Sequence, residues 1–238
     1  MASSLSAEAI MKSESFPGIK AGTARLEDIL NGPSYRAVSQ ERWPVTPPSG
    51  EMAVDEWPPD AASVLVLGLH HPKDTPGLDR WDGGNTPGNR QLMEISDFLK
   101  QWFEEEHGIH ASPLPYHTER GGLFLKDAAV LSGLGVIGRN NLLLNPNWGP
   151  RIRLRAILIG EKKLEPSRPV EGFTPCDACG DICHNACPQN AFSTGLYHRP
   201  SCIRQMDADR AESMPDEKNG ETLFQYCRAC EFVCPAGA

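Results

Sequence analysis

No cysteine occurs in the first 175 of the 238 residues; all eight lie in the last quarter of the chain. That distribution does not suit a small secreted scaffold stapled throughout by disulfides. The N-terminal stretch MASSLSAEAIMKSESFPGIK has no apolar run long enough for a signal or a membrane span, and it carries no twin arginines. The expected location is the cytoplasm, with no membrane partner. A basic tract is also missing. Net charge is −8, and from Cys176 onward nine acids face five bases. Nucleic-acid binders carry a basic footprint to replace phosphate counterions, so this balance counts against a nucleic-acid partner. It favours a small-molecule substrate, or docking on the basic patch of an electron-transfer protein. Neither GxxxxGK[ST] nor GxGxxG is present, which removes the phosphate-loop and dinucleotide fingerprints. Internal repeats are absent apart from two cysteine runs. With 39% hydrophobic residues the chain can bury a core, as one domain or two.

What is present is concentrated in residues 176–235. The first run reads CDACGDICHNACP, the second CRACEFVCP, and Cys202 stands alone between them. Thiolates this close can wrap one small inorganic centre. A proline directly after the last cysteine of a run marks iron–sulfur proteins in which that cysteine ligates the other cluster. The rule predicts one four-cysteine site from Cys176, Cys179, Cys183 and Cys234, and another from Cys187, Cys202, Cys227 and Cys230. Zinc held by four thiolates is the competing metal. The favoured expectation is two 4Fe-4S clusters.

Upstream, periodicity places the main elements. Residues 1–22 read as poorly ordered. Residues 23–30 (TARLEDIL) read as a short helix with Thr23 as N-cap and Asn31-Gly32-Pro33 as its stop. Residues 31–60 hold six prolines and read as a long irregular connection. SVLVLGLH (63–70) is a continuous apolar run, hence a buried strand. His70 and His71 follow it as possible ligands or as a capped strand edge. Over 88–108, Leu92, Ile95, Leu99 and Trp102, with Phe98 and Phe103, recur at helical spacing and read as core. Gly108 closes that helix. Residues 109–114 suit another strand, and 123–132 a second helix. Between them Tyr116, His117, Glu119 and Arg120 stand beside two glycines, either as acid, base and anion-binding groups or as an exposed polar turn. The glycines of 133–138 bring backbone close to neighbouring chain or to a large cofactor. RIRLRAILI (151–159) alternates, so Arg151, Arg153 and Arg155 share one strand face that could grip anions or face solvent. Residues 160–174 read as a polar linker.

Residues 125–159, LKDAAVLSGLGVIGRNNLLLNPNWGPRIRLRAILI, resemble the epoxyqueuosine reductase family, which carries a stretch of the form AGLGxIGKNxLLInPxxGS before an iron–sulfur run. The wider set includes reductive dehalogenases. This resemblance implies an α+β fold: a nitroreductase-like corrinoid-binding domain over 1–165, followed by a ferredoxin-like module with two 4Fe-4S clusters over 166–238. It implies that Gly135, Gly138, Arg139, Asn140 and Asn141 lie against cobalamin, or against FMN as the alternative cofactor, with Arg153 as a further cofactor-binding residue. Electrons would pass from a reduced ferredoxin or flavodoxin-type donor through both clusters to the cobalt. The product would be a reduced small-molecule or corrinoid substrate. Two alternatives accompany that expectation: a corrinoid-reducing protein without an organic substrate, and a minimal tRNA epoxyqueuosine reductase. The family places an acidic proton donor about fourteen residues before the glycine segment, which lands on Glu119; Tyr116 competes for the role. Members of the family continue into a helical-repeat tail, whereas this sequence stops at Ala238, so it resembles a short form.

Overall fold

A computed structural model describes residues 4–34, 57–160, 164–215 and 222–237. Most of the connection expected over 31–60 lies outside them. Two compact units interleave along the chain. One comprises 1–69, 92–135 and 154–171; the other comprises 70–91, 136–153 and 172–238.

The first unit is built on a four-stranded sheet in the order β1 (Ile19–Arg25), β2 (Ser63–His70), β6 (Ile152–Ile159), β3 (Ala111–Pro113). β1 runs antiparallel to β2 from Ile19↔Leu69 to Arg25↔Ser63, and β3 antiparallel to β6 from Ala111↔Ile159 to Pro113↔Ile157. β2 is buried along its length because both of its faces are covered. Leu65, Leu67 and Leu69 join the core formed with helix α3 (Pro87–His107), whose Leu92, Ile95, Leu99, Trp102 and Phe103 form the buried stripe. Each such side chain taken fully from water contributes about 1.5–3 kcal/mol. Val64 and Val66, also fully buried, alternate onto the opposite face. Phe98 departs from its expected core position: it is 41% exposed, with Phe16 edge-on at 5.2 Å and the Lys12 ammonium 5.3 Å from its ring. Gly108 closes α3 at φ +62°, a left-handed conformation that glycine adopts without strain.

From residue 4 onward the N-terminal stretch is ordered, contrary to the sequence reading. Helix α1 (Leu5–Glu14) starts at Ser4, whose hydroxyl accepts the Ala7 N–H at 3.3 Å. It buries Ser6, Ala9 and Ser13 rather than a large apolar stripe, and that hides it from periodicity. The Ser13 hydroxyl donates to the Ala9 carbonyl, and Ser6 Oγ accepts the Glu165 N–H at 2.7 Å. Thr23 lies within β1, not at a helix start. Its hydroxyl donates to the Glu165 carbonyl at 2.6 Å and its N–H donates to Ser167 Oγ. The helix that follows, α2 (Leu26–Leu30), begins three residues later than expected. Residues 164–167 are thus held against β1 and α1 and do not form a free linker. On the other face, α4 (Leu125–Leu131) comes so close that a Cβ on Gly22 would sit 2.0 Å from the Ser132 carbonyl oxygen.

The second unit contains a hairpin, β4 (Val136–Ile137) with β5 (Leu143–Leu144). Its described residues also form the helices α5 (Ile182–Asn185), α6 (Arg199–Ala211) and α7 (Ala229–Phe232) and a short antiparallel pair, β7 (Met214–Pro215) with β8 (Thr222–Leu223). Trp81 stacks on Phe224 at 5.7 Å beside Tyr226, and the Arg210 guanidinium lies over Phe224. The architecture is α+β, but the ferredoxin-like module with two 4Fe-4S clusters is corrected here. Among the described residues, no group of three or more His, Cys, Asp or Glu side chains is arranged to hold a metal ion. The cysteines sit in helices and turns, where the Cys176 sulfur accepts the Arg139 N–H and the Cys187 sulfur the Ala191 N–H.

Candidate functional site

The polar cluster of the first unit lies on the loop between β3 and α4. Leu114 anchors its start: the Leu114 N–H donates to the Ala156 carbonyl at 2.8 Å, and its carbonyl accepts Arg155 Nη1 at 2.7 Å. The loop then closes on itself through a 3-10 turn, Thr118–Arg120. Arg120 and Gly122 N–H groups donate to the His117 carbonyl at 3.0 Å, and Gly121 N–H to that of Thr118 at 3.1 Å. Gly121 takes φ +91°, and a Cβ on Gly122 would lie 2.4 Å from the Pro115 carbonyl oxygen. Both glycines are therefore structural requirements of a tight turn. Glu119 is carried by this turn. Tyr116, 59% exposed, sits just before it with its ring edge-on to His117. After Leu123 the chain enters α4, where the buried Asp127 carboxylate accepts both the N–H (2.9 Å) and the hydroxyl (2.8 Å) of Ser34.

Gly135 ends the first unit's segment, and Gly138, Arg139, Asn140 and Asn141 form the turn of the β4–β5 hairpin in the second. The Gly138 N–H donates to the Leu142 carbonyl and the Asn141 N–H to that of Gly138, both at 2.9 Å. Asn141 occupies the left-handed region at φ 58°. A Cβ on Gly138 would meet Leu144 Cδ1 at 2.6 Å and Asn140 Oδ1 at 2.8 Å, so the hairpin itself uses the space that glycine opens. Asn140 is buried, and its amide donates to the Cys230 carbonyl at 3.4 Å. Arg139, about half exposed, pairs with Asp181 at 2.9 Å, and its carbonyl meets His184 Nε2 at 3.2 Å.

The arginines at 151, 153 and 155 are each committed. Arg155 holds Leu114, as above. Arg151 is buried and donates to the carbonyls of Ala236 and Gly237. Arg153 bridges two carboxylates: Nε lies 2.9 Å from Asp79, and Nη2 lies 3.0 Å from Glu231. Arg228 contacts the same two carboxylates, and His71 Nδ1 stands 2.9 Å from Asp79. This knot of two carboxylates, two guanidinium groups and one imidazole was not visible in the sequence. Burial would raise the Asp79 carboxyl, but His71, Arg153 and Arg228 outweigh it and hold it below the ordinary carboxylate range. Burial lowers the pKa of His71 against the pull of Asp79 and favours the neutral ring. Burial opposes the charge on Arg153, yet Glu231 and Asp79 raise its pKa. His70, on the opposite side of the chain, stacks on Trp148 at 4.9 Å with 7° between the rings, and its pKa is lowered by burial and by Arg151.

The cysteines fall into two groups. Cys176, Cys179, Cys183 and Cys234 line one cavity with Asn140 and Leu144. Cys187, Cys202, Cys227 and Cys230 are close enough for their charges to act on one another. Within these groups the sulfurs take other partners: Cys176 accepts the Arg139 N–H, Cys187 the Ala191 N–H at 3.3 Å, and Cys202 pairs with Tyr197. Burial pushes the thiols of Cys183, Cys227 and Cys234 up, and that of Cys230 up to about 12. Metal ligation needs thiolates converging on one point. Among the described residues no metal-holding group of three or more side chains exists, so the donor set does not fit the expected centres. Two 4Fe-4S clusters, cobalamin or FMN in their company, and a reductase dependent on them are withdrawn as readings of this chain. No described helix is long and apolar enough to cross a membrane.

No protein-family model matches the chain. It is 34% identical over 194 residues to the epoxyqueuosine reductase of Staphylococcus aureus, covering 74% of this chain and 48% of that protein. The chain spans about half the length of the curated relatives it matches. A crystal structure of epoxyqueuosine reductase with an epoxyqueuosine-modified tRNA stem loop superposes with a TM-score of 0.68 at 21% identity, covering 97% of this chain and 64% of the other. A catabolic reductive dehalogenase superposes with a TM-score of 0.58 at 19% identity, over 92% of this chain and 30% of the other. Likeness at these identities shows a shared fold. The stem loop in the first of these structures overturns the expectation that nucleic acid is an unlikely partner, because the net charge of a whole chain does not describe its local surface. The preference for a small-molecule or corrinoid substrate is corrected with it.

Proposed function

Because this chain belongs to the epoxyqueuosine reductase-like family, related to the reductive dehalogenases, we propose that it reduces epoxyqueuosine in tRNA. The observation that carries the reading is its 34% identity over 194 residues to a curated epoxyqueuosine reductase. Converting an epoxide to an alkene breaks both C–O bonds and consumes two electrons and two protons; the oxygen leaves as water. Substrate handling is assigned to residues 1–165, which carry Glu119 and Tyr116. Glu119 donates a proton to the departing oxygen. A carboxyl is preferred to the Tyr116 phenol because its pKa is tuned more readily toward neutrality, where proton transfer is efficient. The two electrons come from an external reductant. The modified base of a tRNA stem loop is the substrate, and the cytoplasm, where tRNA is found, is the assigned compartment.

The test is incubation of the purified protein with an epoxyqueuosine-containing tRNA stem loop and a chemical reductant, followed by nucleoside mass spectrometry. Loss of one oxygen atom from the modified base is the expected result, together with rescue of a strain that lacks queuosine. Glu119→Gln is expected to lower turnover about a hundredfold or more, and Tyr116→Phe about threefold or less. Unchanged substrate mass with wild-type protein, together with failure to rescue, would overturn the proposal.

A further inference from the structure

The loop that carries Glu119 is braced from outside by one side chain that the proposed reaction has not used. The Trp57 indole N–H donates to the Gly121 carbonyl at 2.7 Å. Gly121 is the C-cap of the 3-10 turn, two residues beyond Glu119. The segment that follows Trp57 is itself fixed. Pro58 is buried, its carbonyl accepts the Ala61 N–H at 2.9 Å, and the Ala62 carbonyl accepts the Leu26 N–H at 3.0 Å as the chain enters β2. The indole therefore reaches the turn from the segment that leads into β2, an inner strand of the sheet. At its base the loop is held by Leu114 and Arg155, as described above.

We propose that Trp57 is a positioning residue for the reaction: its indole N–H fixes the turn that carries Glu119. This rests on the proposed function in so far as Glu119 is the proton donor. The turn has three short backbone hydrogen bonds of its own and a glycine pair that cannot pack through side chains. Such a turn can shift as a unit about its ends. A hydrogen bond from a large, half-buried ring to its C-terminal end opposes that shift. Displacing an acid by about 1 Å from its acceptor can cost about a hundredfold in rate, so a single tether here acts on catalysis out of proportion to its own strength.

The experiment compares wild-type full-length chain with Trp57→Phe, which keeps a ring but removes the donor, and Trp57→His, which keeps a ring N–H. Amide hydrogen exchange is followed in peptides covering 115–124, with β2 as the internal control of folding. Loss of one hydrogen bond is expected to speed exchange in that peptide about fivefold in Trp57→Phe and to leave β2 unchanged. Turnover of the tRNA stem loop is expected to fall about tenfold or more with KM within about twofold, and Trp57→His is expected to recover part of both losses. Exchange at the wild-type rate in Trp57→Phe overturns the tether whatever the turnover. Faster exchange with unchanged turnover overturns its part in the reaction. Faster exchange in β2 as well identifies Trp57 as a general packing residue and overturns the specific role. A wild-type chain that turns over no substrate sinks the proposed reaction and, with it, a role for Trp57 in that reaction; the exchange comparison still decides whether the tether exists.

Discussion

Arg228→Met is the substitution whose cost is best defined by the structure. Arg228 is 8% exposed and contacts two carboxylates, Asp79 at 9% and Glu231 at 4%. Arg153 supplies the only other guanidinium to this group among the contacts described, so two negative charges face two positive ones. Methionine fills much of the arginine's volume but leaves two buried carboxylates to share one cation. Breaking a buried pair in this way costs about 3–5 kcal/mol, because the orphaned charge has lost its water as well as its partner. Solvent screening gives little relief at these exposures. Denaturant unfolding of the full chain, followed by tryptophan fluorescence, measures the loss; Trp81 and Trp148 both lie in this unit. A second variant, Arg228→Met with Glu231→Leu, leaves one carboxylate with one guanidinium. It is expected to be more stable than the single variant although it contains fewer polar contacts. The deficit also has a sign in pH. The folded Asp79 carboxyl is held low, so its contribution is present above the unfolded value of about 3.9 and is lost as pH falls through the lower folded value. Without Arg228 that carboxyl rises, and the gap between variant and wild type should narrow toward about pH 4. A single-variant loss below about 1 kcal/mol, or a double variant weaker than the single, would refute the charge-balance reasoning.

Three further outcomes follow from the same geometry. Gly22→Ala places a Cβ 2.0 Å from the Ser132 carbonyl oxygen, a backbone atom that cannot swing away; a loss of about 1–3 kcal/mol or more is expected in thermal unfolding, and a neutral result would mean that α4 slides freely on β1. Asp127→Asn exchanges a charged acceptor of two Ser34 hydrogen bonds for a neutral amide, and should cost about 1–2 kcal/mol in denaturant midpoint, with Ser34→Ala costing no more. The pKa of His71 is lowered by burial, so wild-type stability is highest above the unfolded value of about 6.5 and declines as pH falls from there toward the folded value; His71→Gln should flatten that part of a stability–pH curve, and an unchanged slope would assign it to another group.

The legible elements are those in which a local pattern is also the packing pattern. SVLVLGLH could be placed because a strand covered on both faces must be apolar throughout, and α3 because its stripe repeats at the helical period. α1 was missed because it buries serines that bond to backbone, and β1 because Gly22 and Thr23 sit where apolar residues would announce a strand. The spacing of Arg151, Arg153 and Arg155 was visible, but their partners lie far off in the chain. Arg153 meets Asp79 across 74 residues and Glu231 across 78. Spacing grouped the cysteines as sets of possible ligands, but burial, neighbouring N–H groups and Tyr197 act on the thiols through contacts that spacing does not contain.

By itself the sequence determined which stretches are strand or helix where periodicity is strong, where the tight turns fall, and which family the chain resembles through the motif of residues 125–159. Those properties are local, set by backbone sterics and by the period at which apolar side chains recur. Only the tertiary structure decided that Gly138 makes room for its own hairpin, that Arg153 and Arg228 are spent on buried carboxylates, and that Trp57 reaches the turn of Glu119. Each depends on which distant atoms share a desolvated space, where an unpaired charge or donor costs several times what it costs in water.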